Sequence, residues 1–316
     1  MYPIVTRGGY HAAAACQPPH AVKTALFVTL ACFALVFAWR WLRSLLQPSP
    51  ADGPRCPSPA QLAIGFGTNF FDTLGVGSFA PTAALYRLTG MVPDERIPGT
   101  MNVGHTLPVV VMAFLFIAGV EVDLATLVTL IAAAVAGAWL GADVVSRLPR
   151  RPVQVGVGVA LLVTATLMVL AQLEVLPIGG QALGLTTGPL VFAAAVSALL
   201  SALNTLGVGF YGPCMILIAL LGMDPKAAFP IMMGACAFLM PVGSARFVRR
   251  GAYSPRAALG LTLGGVPAVL VAALLVQSMS LDTLRWLVVG VAAYTAALML
   301  SGGGGGGGAK GAAAAD

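Results

Sequence analysis

The chain has 316 residues, of which 58% are hydrophobic and only 9% are charged. Soluble domains carry about 25% charged residues, so this composition excludes a water-soluble monomer and predicts an all-α polytopic membrane protein. The net charge of +6 does not indicate nucleic-acid binding, because the arginines stand at the ends of apolar runs. The five cysteines show no CxxC spacing and no even framework, and we interpret them as free thiols.

The first predicted element is an apolar run over residues 22–46, which ends in Arg40, Trp41 and Arg43. The run is too long for the core of a signal peptide, and no small-residue cleavage site follows it. It therefore predicts a retained transmembrane helix. Residues 1–60 are expected to comprise an extracytoplasmic tail, this extra helix and a cytoplasmic linker.

The next element occurs twice, 132 residues apart. Residues 73–81 read TLGVGSFAP and residues 205–213 read TLGVGFYGP. The same shift superposes Gly90 on Gly222. Paired apolar segments that are interrupted by glycine in matching halves are typical of a transporter's substrate site.

Basic residues predict how these segments cross the membrane. Arginines cluster at 147–151 and 246–256, whereas residues 119–121 and 174–187 contain neither lysine nor arginine. The first two stretches are therefore expected in the cytoplasm and the last two outside. This arrangement returns residues 61–90 to the cytoplasmic side and residues 188–222 to the outer side. Each segment is predicted to be a re-entrant hairpin, and a single broken span is the alternative.

Three transmembrane helices are predicted after each hairpin, and this odd number inverts the second copy relative to the first. The expected fold is two inverted repeats, each a re-entrant broken-helix hairpin plus three transmembrane helices, after one extra N-terminal span. In a bacterial inner membrane the N-terminus would lie outside and the C-terminus in the cytoplasm. Gly137-x-x-x-Gly141 and Gly260-x-x-x-Gly264 fall in corresponding spans of the two halves and predict close helix packing. The boundaries are repeat 1 at 61–173, an extracytoplasmic linker at 174–187, repeat 2 at 188–300 and a disordered Gly/Ala tail at 301–316.

The helix breaks suggest how an anion is bound. Lipid cannot pair the backbone groups that a break frees, so each break must lie inside protein or line a polar cavity. Pro81 and Pro213 fall in the first turn of the following helix, where a missing N–H costs little. The free N–H groups at the two helix starts would together form an anion site. The candidate binding residues at the breaks are Gly75, Gly77, Ser78, Phe79, Gly207, Gly209, Phe210 and Tyr211.

Polar side chains lie at helical spacing before each break and on the helix that follows the first one. An intramembrane carboxyl is costly and functional by default, which makes Asp72 the candidate proton carrier. His105 is predicted either to bind substrate or sense pH, or to be a packed, hydrogen-bonded neutral imidazole. The other polar groups either bind substrate or only satisfy the freed backbone. The further candidate substrate-binding residues are Asn69, Thr73, Asn102, Asn204 and Thr205.

At these residues the chain resembles the TauE/SafE family of membrane permeases, known as sulfite exporters. Residues 75–81 look like the family's glycine-rich break before proline, and residues 99–102 resemble its G-T-N element. Asp72 looks like the acidic residue that often precedes the first glycine run, and residues 209–213 are similar to the family's G-[FY]-x-G-P. The resemblance covers about residues 61–300 and leaves out the first span, which looks like an addition. It implies transport of small sulfur-containing anions such as sulfite, sulfonates or thiosulfate.

These features predict a secondary transporter, an exporter or permease, for a small sulfur oxyanion or organosulfonate. The expected partners are that anion, the lipid bilayer and protons; no enzyme activity, cofactor, metal or nucleic acid is expected. A passive anion channel with the same fold is one alternative. A membrane redox subunit or haem anchor is the other, and it is disfavoured because a bis-histidine haem needs two ligands where the membrane segments offer only His105.

Overall fold

The computed structural model describes residues 19–46, 56–145, 150–173, 180–204 and 210–301. This described part of the chain is helical and contains no strand, which confirms the predicted all-α class. Its α-helices are α1 (Pro19–Leu46), α2 (Pro59–Thr73), α3 (Phe79–Thr89), α4 (Ile97–Gly119), α5 (Leu124–Val145), α6 (Arg150–Gln172), α7 (Thr187–Asn204), α8 (Tyr211–Leu220), α9 (Ala228–Arg250), α10 (Pro255–Ser278) and α11 (Leu281–Ser301).

Helix length and composition fit a polytopic membrane protein. Helices α3 and α8 have 11 and 10 residues, which is about 15 Å of helix against a hydrocarbon core of about 30 Å. Neither can cross a membrane alone. Five helical segments among the described residues are long and apolar enough to do so: Ala21–Leu46, Asp94–Gly119, Thr187–Asn204, Pro225–Arg250 and Pro255–Ser278.

The order of helices after α1 recurs. Helix α3 begins at Phe79 and α8 at Tyr211, which are related by the same shift as the two sequence copies. Each of these short helices is followed by a 3₁₀ turn, at Asp94–Arg96 and Pro225–Ala227, and then by three long helices. The local signals that end and start each helix are therefore repeated with the sequence.

Helices α4 and α10 run side by side in the same direction. Near their starts the Ser254 N–H donates to the Thr100 hydroxyl at 2.8 Å. Near their ends the Gln277 amide donates to the Leu115 carbonyl at 3.3 Å. We call the end of the bundle at Thr100 and Ser254 the first face, and the end at Leu115 and Gln277 the second face. Helix α9 packs antiparallel to α4 and returns to the first face, where α10 begins.

Both ends of the α2–α3 segment lie at the first face. Before α2, the Cys56 carbonyl accepts a hydrogen bond of 2.7 Å from Nε of Arg256, at the start of α10. Near the end of α3, the Tyr86 hydroxyl donates to the Ala257 carbonyl at 3.2 Å. Between these contacts α2 runs along α10 as far as Gly265, which lies against Asn69. The chain therefore enters the bundle and returns to the end from which it came.

The α7–α8 segment has both ends at the second face. Before α7, the Leu183 carbonyl accepts from the N–H of Asp123, at the start of α5, at 2.7 Å. After α8, the N–H of Asp224 donates to the Ala182 carbonyl at 2.9 Å, and the Ala182 N–H donates to Gly222 at 3.2 Å. Helix α4 ends at the second face, so α5 begins there. The contact of Leu183 with Asp123 therefore places the start of the α7–α8 segment at the second face, and the contacts of Ala182 place its end there too.

Glycines allow these arms to pack closely. An added Cβ at Gly260 would meet Gln61 of α2, and one at Gly264 would overlap the Leu62 carbonyl. On the other arm, an added Cβ at Gly137 of α5 would overlap the backbone of Ala198 in α7. These contacts confirm the predicted close packing at Gly260 and Gly264. At these glycines the backbone of α2 lies in direct contact with α10, and the backbone of α7 with α5.

Candidate functional site

The first break is a glycine turn between α2 and α3. Gly75 and Gly77 have φ values of 93° and 90°, a region that costs residues with a side chain about 1–2 kcal/mol. Ser78 precedes α3, but its side chain makes no capping hydrogen bond to that helix. Pro81 follows in the first turn of α3, as predicted, where no N–H is required.

The second break lies partly outside the described residues. Helix α7 ends at Asn204 and α8 begins at Tyr211, directly after the buried residue Phe210. Phe210, like Ser78 in the first half, makes no side-chain cap to the helix that it precedes. The predicted site residues Thr205, Gly207 and Gly209 fall outside the described residues, as does the rest of that turn.

Asp72 lies where the two halves meet. Its side chain is buried, with a relative exposure of 2% for the residue, and its Oδ2 atom has no hydrogen-bond partner. The hydroxyl and backbone N–H of Ser78 make hydrogen-bonding contact with the same carboxyl group. Tyr211 and Cys236, at the start of α8 and in α9, are close enough to interact with it electrostatically. One carboxyl of the first half thus lies within electrostatic range of a hydroxyl and a thiol of the second.

The turn itself packs on the second half. An added Cβ at Gly75 would meet the Met215 sulfur at 2.8 Å and the Met232 methyl at 3.7 Å. By contrast, nothing lies within 4 Å of an added Cβ at Gly77. Gly75 and Gly77 are therefore both favoured by their backbone conformation, and an added Cβ at Gly75 would in addition displace the end of the Met215 side chain.

His105 connects three helices through hydrogen bonds. The Asn69 amide group donates to the Gly65 and Leu261 carbonyls at 2.7 and 3.4 Å, so its oxygen is the atom left to accept, at 3.0 Å, from Nδ1 of His105. Nε2 then accepts from the Thr82 hydroxyl at 3.1 Å. Both ring nitrogens of His105 are hydrogen-bonded to protein groups. This favours a packed, neutral imidazole over the alternative that His105 binds substrate or senses pH. This network ties α2 and α3 to α4.

Several predicted residues bond to the backbone. The Thr73 hydroxyl donates to the Asn69 carbonyl at 2.8 Å, and the Asn102 amide donates to the Pro98 carbonyl at 3.0 Å. These bonds favour the structural alternative for Thr73 and Asn102. Phe79 is 39% exposed and its ring centroid lies 5.8 Å from that of His105. The structure thus brings Asp72 together with Ser78 and places Tyr211 within electrostatic range of the same carboxyl.

The N-terminal half of the chain matches a known family of membrane proteins. The model described as "Sulfite exporter TauE/SafE" matches residues 5–168, which is more than half of the sequence. The chain belongs to the TauE/SafE family. The TauE/SafE match includes α1, which the sequence interpretation left outside the resemblance. Comparisons with curated proteins and with solved structures found no match.

Membership in TauE/SafE makes the chain a multi-pass membrane transporter of sulfite-like anions, from a family of transporters rather than enzymes. The internal repeat indicated the glycine breaks, but neither the repeat nor the TauE/SafE resemblance indicated Cys236, whose thiol makes hydrogen-bonding contact with Tyr211. They also did not indicate Met215 and Met232. All three residues stand in apolar stretches of their helices, so the sequence carries no signal that they lie near a carboxyl or a glycine turn of the other half.

Proposed function

We propose that this protein is a secondary transporter in the bacterial inner membrane that moves sulfite, a sulfonate or thiosulfate together with protons. The family supplies the class of substrate, and the finer proposal rests on one observation. The buried carboxyl of Asp72 has an oxygen without a hydrogen-bond partner at the junction of the two halves. A carboxyl in that position is expensive to keep in a membrane unless it has a function.

Two inverted hairpins would bring the substrate site to the middle of the membrane. The contacts of Cys56 and Tyr86 with the start of α10, at the first face, support a hairpin made of α2 and α3. The contacts of Leu183 and Asp224 at the second face support an opposed hairpin made of α7 and α8. The arginines near the first face favour a cytoplasmic position for it, with the N-terminus outside and the C-terminus inside.

The anion would bind between the starts of α3 and α8. An uncapped helix start offers free N–H groups and roughly half a positive charge, which suits a small oxyanion without any lysine or arginine. Neither helix has a side-chain cap, and Ser78 and Tyr211 add hydroxyl groups beside them. Cys236 and Met215 add polarizable sulfur atoms to this region.

Asp72 would couple transport to protons by charge. An ionised carboxylate beside an anion repels it, and the repulsion is strong where water is excluded. Binding of a proton to Asp72 removes this repulsion, so proton and anion would bind together and leave together. Asn204 occupies the matching position of the second half, and therefore only the first half carries the titratable group.

The two hairpins have different surroundings, which supports alternating access. Helix α8 packs against α6, α7, α9 and α11, and its residues up to Ala219 are largely buried. Helix α3 packs against α2 and α4, and Leu85 and Leu88 on it are 38% and 84% exposed. Transporters built from inverted repeats switch by exchanging such environments between the halves.

Proteoliposome flux of radiolabelled sulfite tests the proposal. The wild-type protein is expected to accumulate sulfite beyond its electrochemical equilibrium when a pH gradient is imposed, which a passive channel cannot do. Asp72→Asn should still exchange sulfite for sulfite but should not accumulate it. The matched control is Asp282→Asn, because the Asp282 side chain is 80% exposed and distant in sequence from both breaks. Accumulation by Asp72→Asn at the wild-type level would exclude the proton-carrier role.

A further inference from the structure

Helices α1 and α9 run side by side and end together at the first face. The rings of Phe33 and Phe238 meet edge to face, with centroids 5.8 Å apart. Further along, the hydroxyls of Ser44 and Tyr253 are 3.0 Å apart. Tyr253 follows shortly after the end of α9, so both contacts advance in the same direction along the chain, and Trp41 packs in one cluster with Phe247 and Val248. The C-terminal ends of α1 and α9 therefore lie next to each other.

The last two turns of these helices carry exposed arginines, which we call the arginine seam: Arg40 and Arg43 from α1, and Arg246, Arg249 and Arg250 from α9. Neither helix contains an aspartate or glutamate. The ion pairs between described residues involve other arginines. The Arg43 guanidinium lies over the Trp39 ring, 3.8 Å from its centroid. Stacking on a ring face leaves the N–H groups at the edge of the guanidinium plane available to hydrogen-bond an anion.

The seam has an apolar base. Buried Phe37 and Trp41 of α1 pack in one cluster with Phe247 and Val248 of α9, which lie between the arginines along the chain. Trp41 is 4% exposed, and its indole N–H has no hydrogen-bond acceptor. A buried donor without an acceptor is rare and costly in proteins. Beside this base, the side chains of Leu42 and Leu46 are exposed, as lipid-facing residues would be.

We propose that the arginine seam binds the headgroup of an anionic phospholipid from the membrane leaflet at the first face. Guanidinium groups bind phosphate oxygens in pairs, and basic clusters at the ends of transmembrane helices attract anionic lipids. The exposed leucines below the arginines match acyl chains, which a soluble anion does not have. A phosphate oxygen that enters between the helices would also accept from the Trp41 indole. This site is separate from the breaks and does not depend on the proposed transport mechanism.

Native mass spectrometry of the full-length protein in detergent tests this site with phosphatidylglycerol as the probe. Arg40→Gln/Arg43→Gln should bind phosphatidylglycerol about 30-fold more weakly than the wild type, at about a fivefold effect for each arginine. Trp41→Phe keeps every charge and the aromatic packing, and should weaken binding about fivefold by removing the donor. Size-exclusion profiles matching the wild type establish that both variants are folded. Wild-type affinity in both variants would overturn the proposal.

The matched control is Arg87→Gln/Arg96→Gln, which removes the same charge beside α3 and the start of α4. It should change the affinity by less than about threefold, because separated surface charges are screened. A loss as large as that of the seam variant would mean that binding reflects overall charge, and would overturn the site. Phosphatidylcholine should bind no better than background. Competition by millimolar inorganic phosphate would show that a soluble anion suffices and would overturn the assignment to lipid.

Discussion

Replacement of Gly65 by alanine tests whether close packing of α2 on α10 positions the first break. An added Cβ would lie 2.5 Å from the Gly260 carbonyl oxygen and 2.8 Å from Cα of Leu261. Carbon atoms normally meet at about 3.5–4.0 Å, so the two helices must separate by about 1 Å. Both neighbouring atoms belong to the backbone and cannot rotate away. The hydrogen bond from Asn69 to the Leu261 carbonyl, already 3.4 Å long, would then be lost.

The expected magnitude follows from two opposing terms. Overpacking against a rigid backbone costs about 3 kcal/mol at the upper end of its range, and alanine in a helix gains about 1 kcal/mol over glycine. A net loss of about 2 kcal/mol should lower the melting temperature of Gly65→Ala by about 4–8 °C. The loosened helix α2 carries Asp72, so sulfite flux should fall as well.

Gly67→Ala is the matched control in the same helix, because nothing lies within 4 Å of an added Cβ there. It should be as stable as the wild type or more stable by about 0.5–1 kcal/mol, since the alanine loses less backbone freedom. Thermal unfolding in detergent, followed by intrinsic fluorescence, compares the two variants. Equal melting temperatures for Gly65→Ala and Gly67→Ala would show that α2 does not pack on α10 in this way.

Three further predictions follow from the same region. Gly75→Ala should reduce sulfite flux more than Gly77→Ala, because both strain the turn by about 1–2 kcal/mol but only the first also collides with a methionine sulfur; equal flux would argue against that contact. His105→Ala should lower the free energy of unfolding by about 2 kcal/mol or more in denaturant titrations, since it leaves two buried partners unsatisfied, and an unchanged midpoint would contradict the network. Two variants with one cysteine each, one retaining only Cys56 and the other carrying only Pro93→Cys, should both react with an impermeant maleimide added to the same side of the membrane. Labelling of the two variants from opposite sides would favour a broken span over the hairpin.

The amino-acid sequence by itself determined the class of this protein and the location of its helix breaks. Low charge and long apolar runs are sufficient for a polytopic membrane protein, because a membrane helix satisfies its own backbone and needs only apolar side chains. The Gly-x-Gly and proline signals are equally local. They act through backbone φ values and a missing N–H, so α3 begins where the repeat predicts, directly after Ser78.

Only the tertiary structure decided which groups meet at the break. Asp72 of the first half lies within electrostatic range of Tyr211 and Cys236 of the second. A helical period shows which residues share a face, but not which distant helix covers that face. The role of His105 was left open for the same reason, because the sequence does not state that Asn69 and Thr82 lie on either side of its ring. Such contacts arise from packing between segments that are far apart in the chain. The local signals that start and end a helix do not specify which distant segment packs against it.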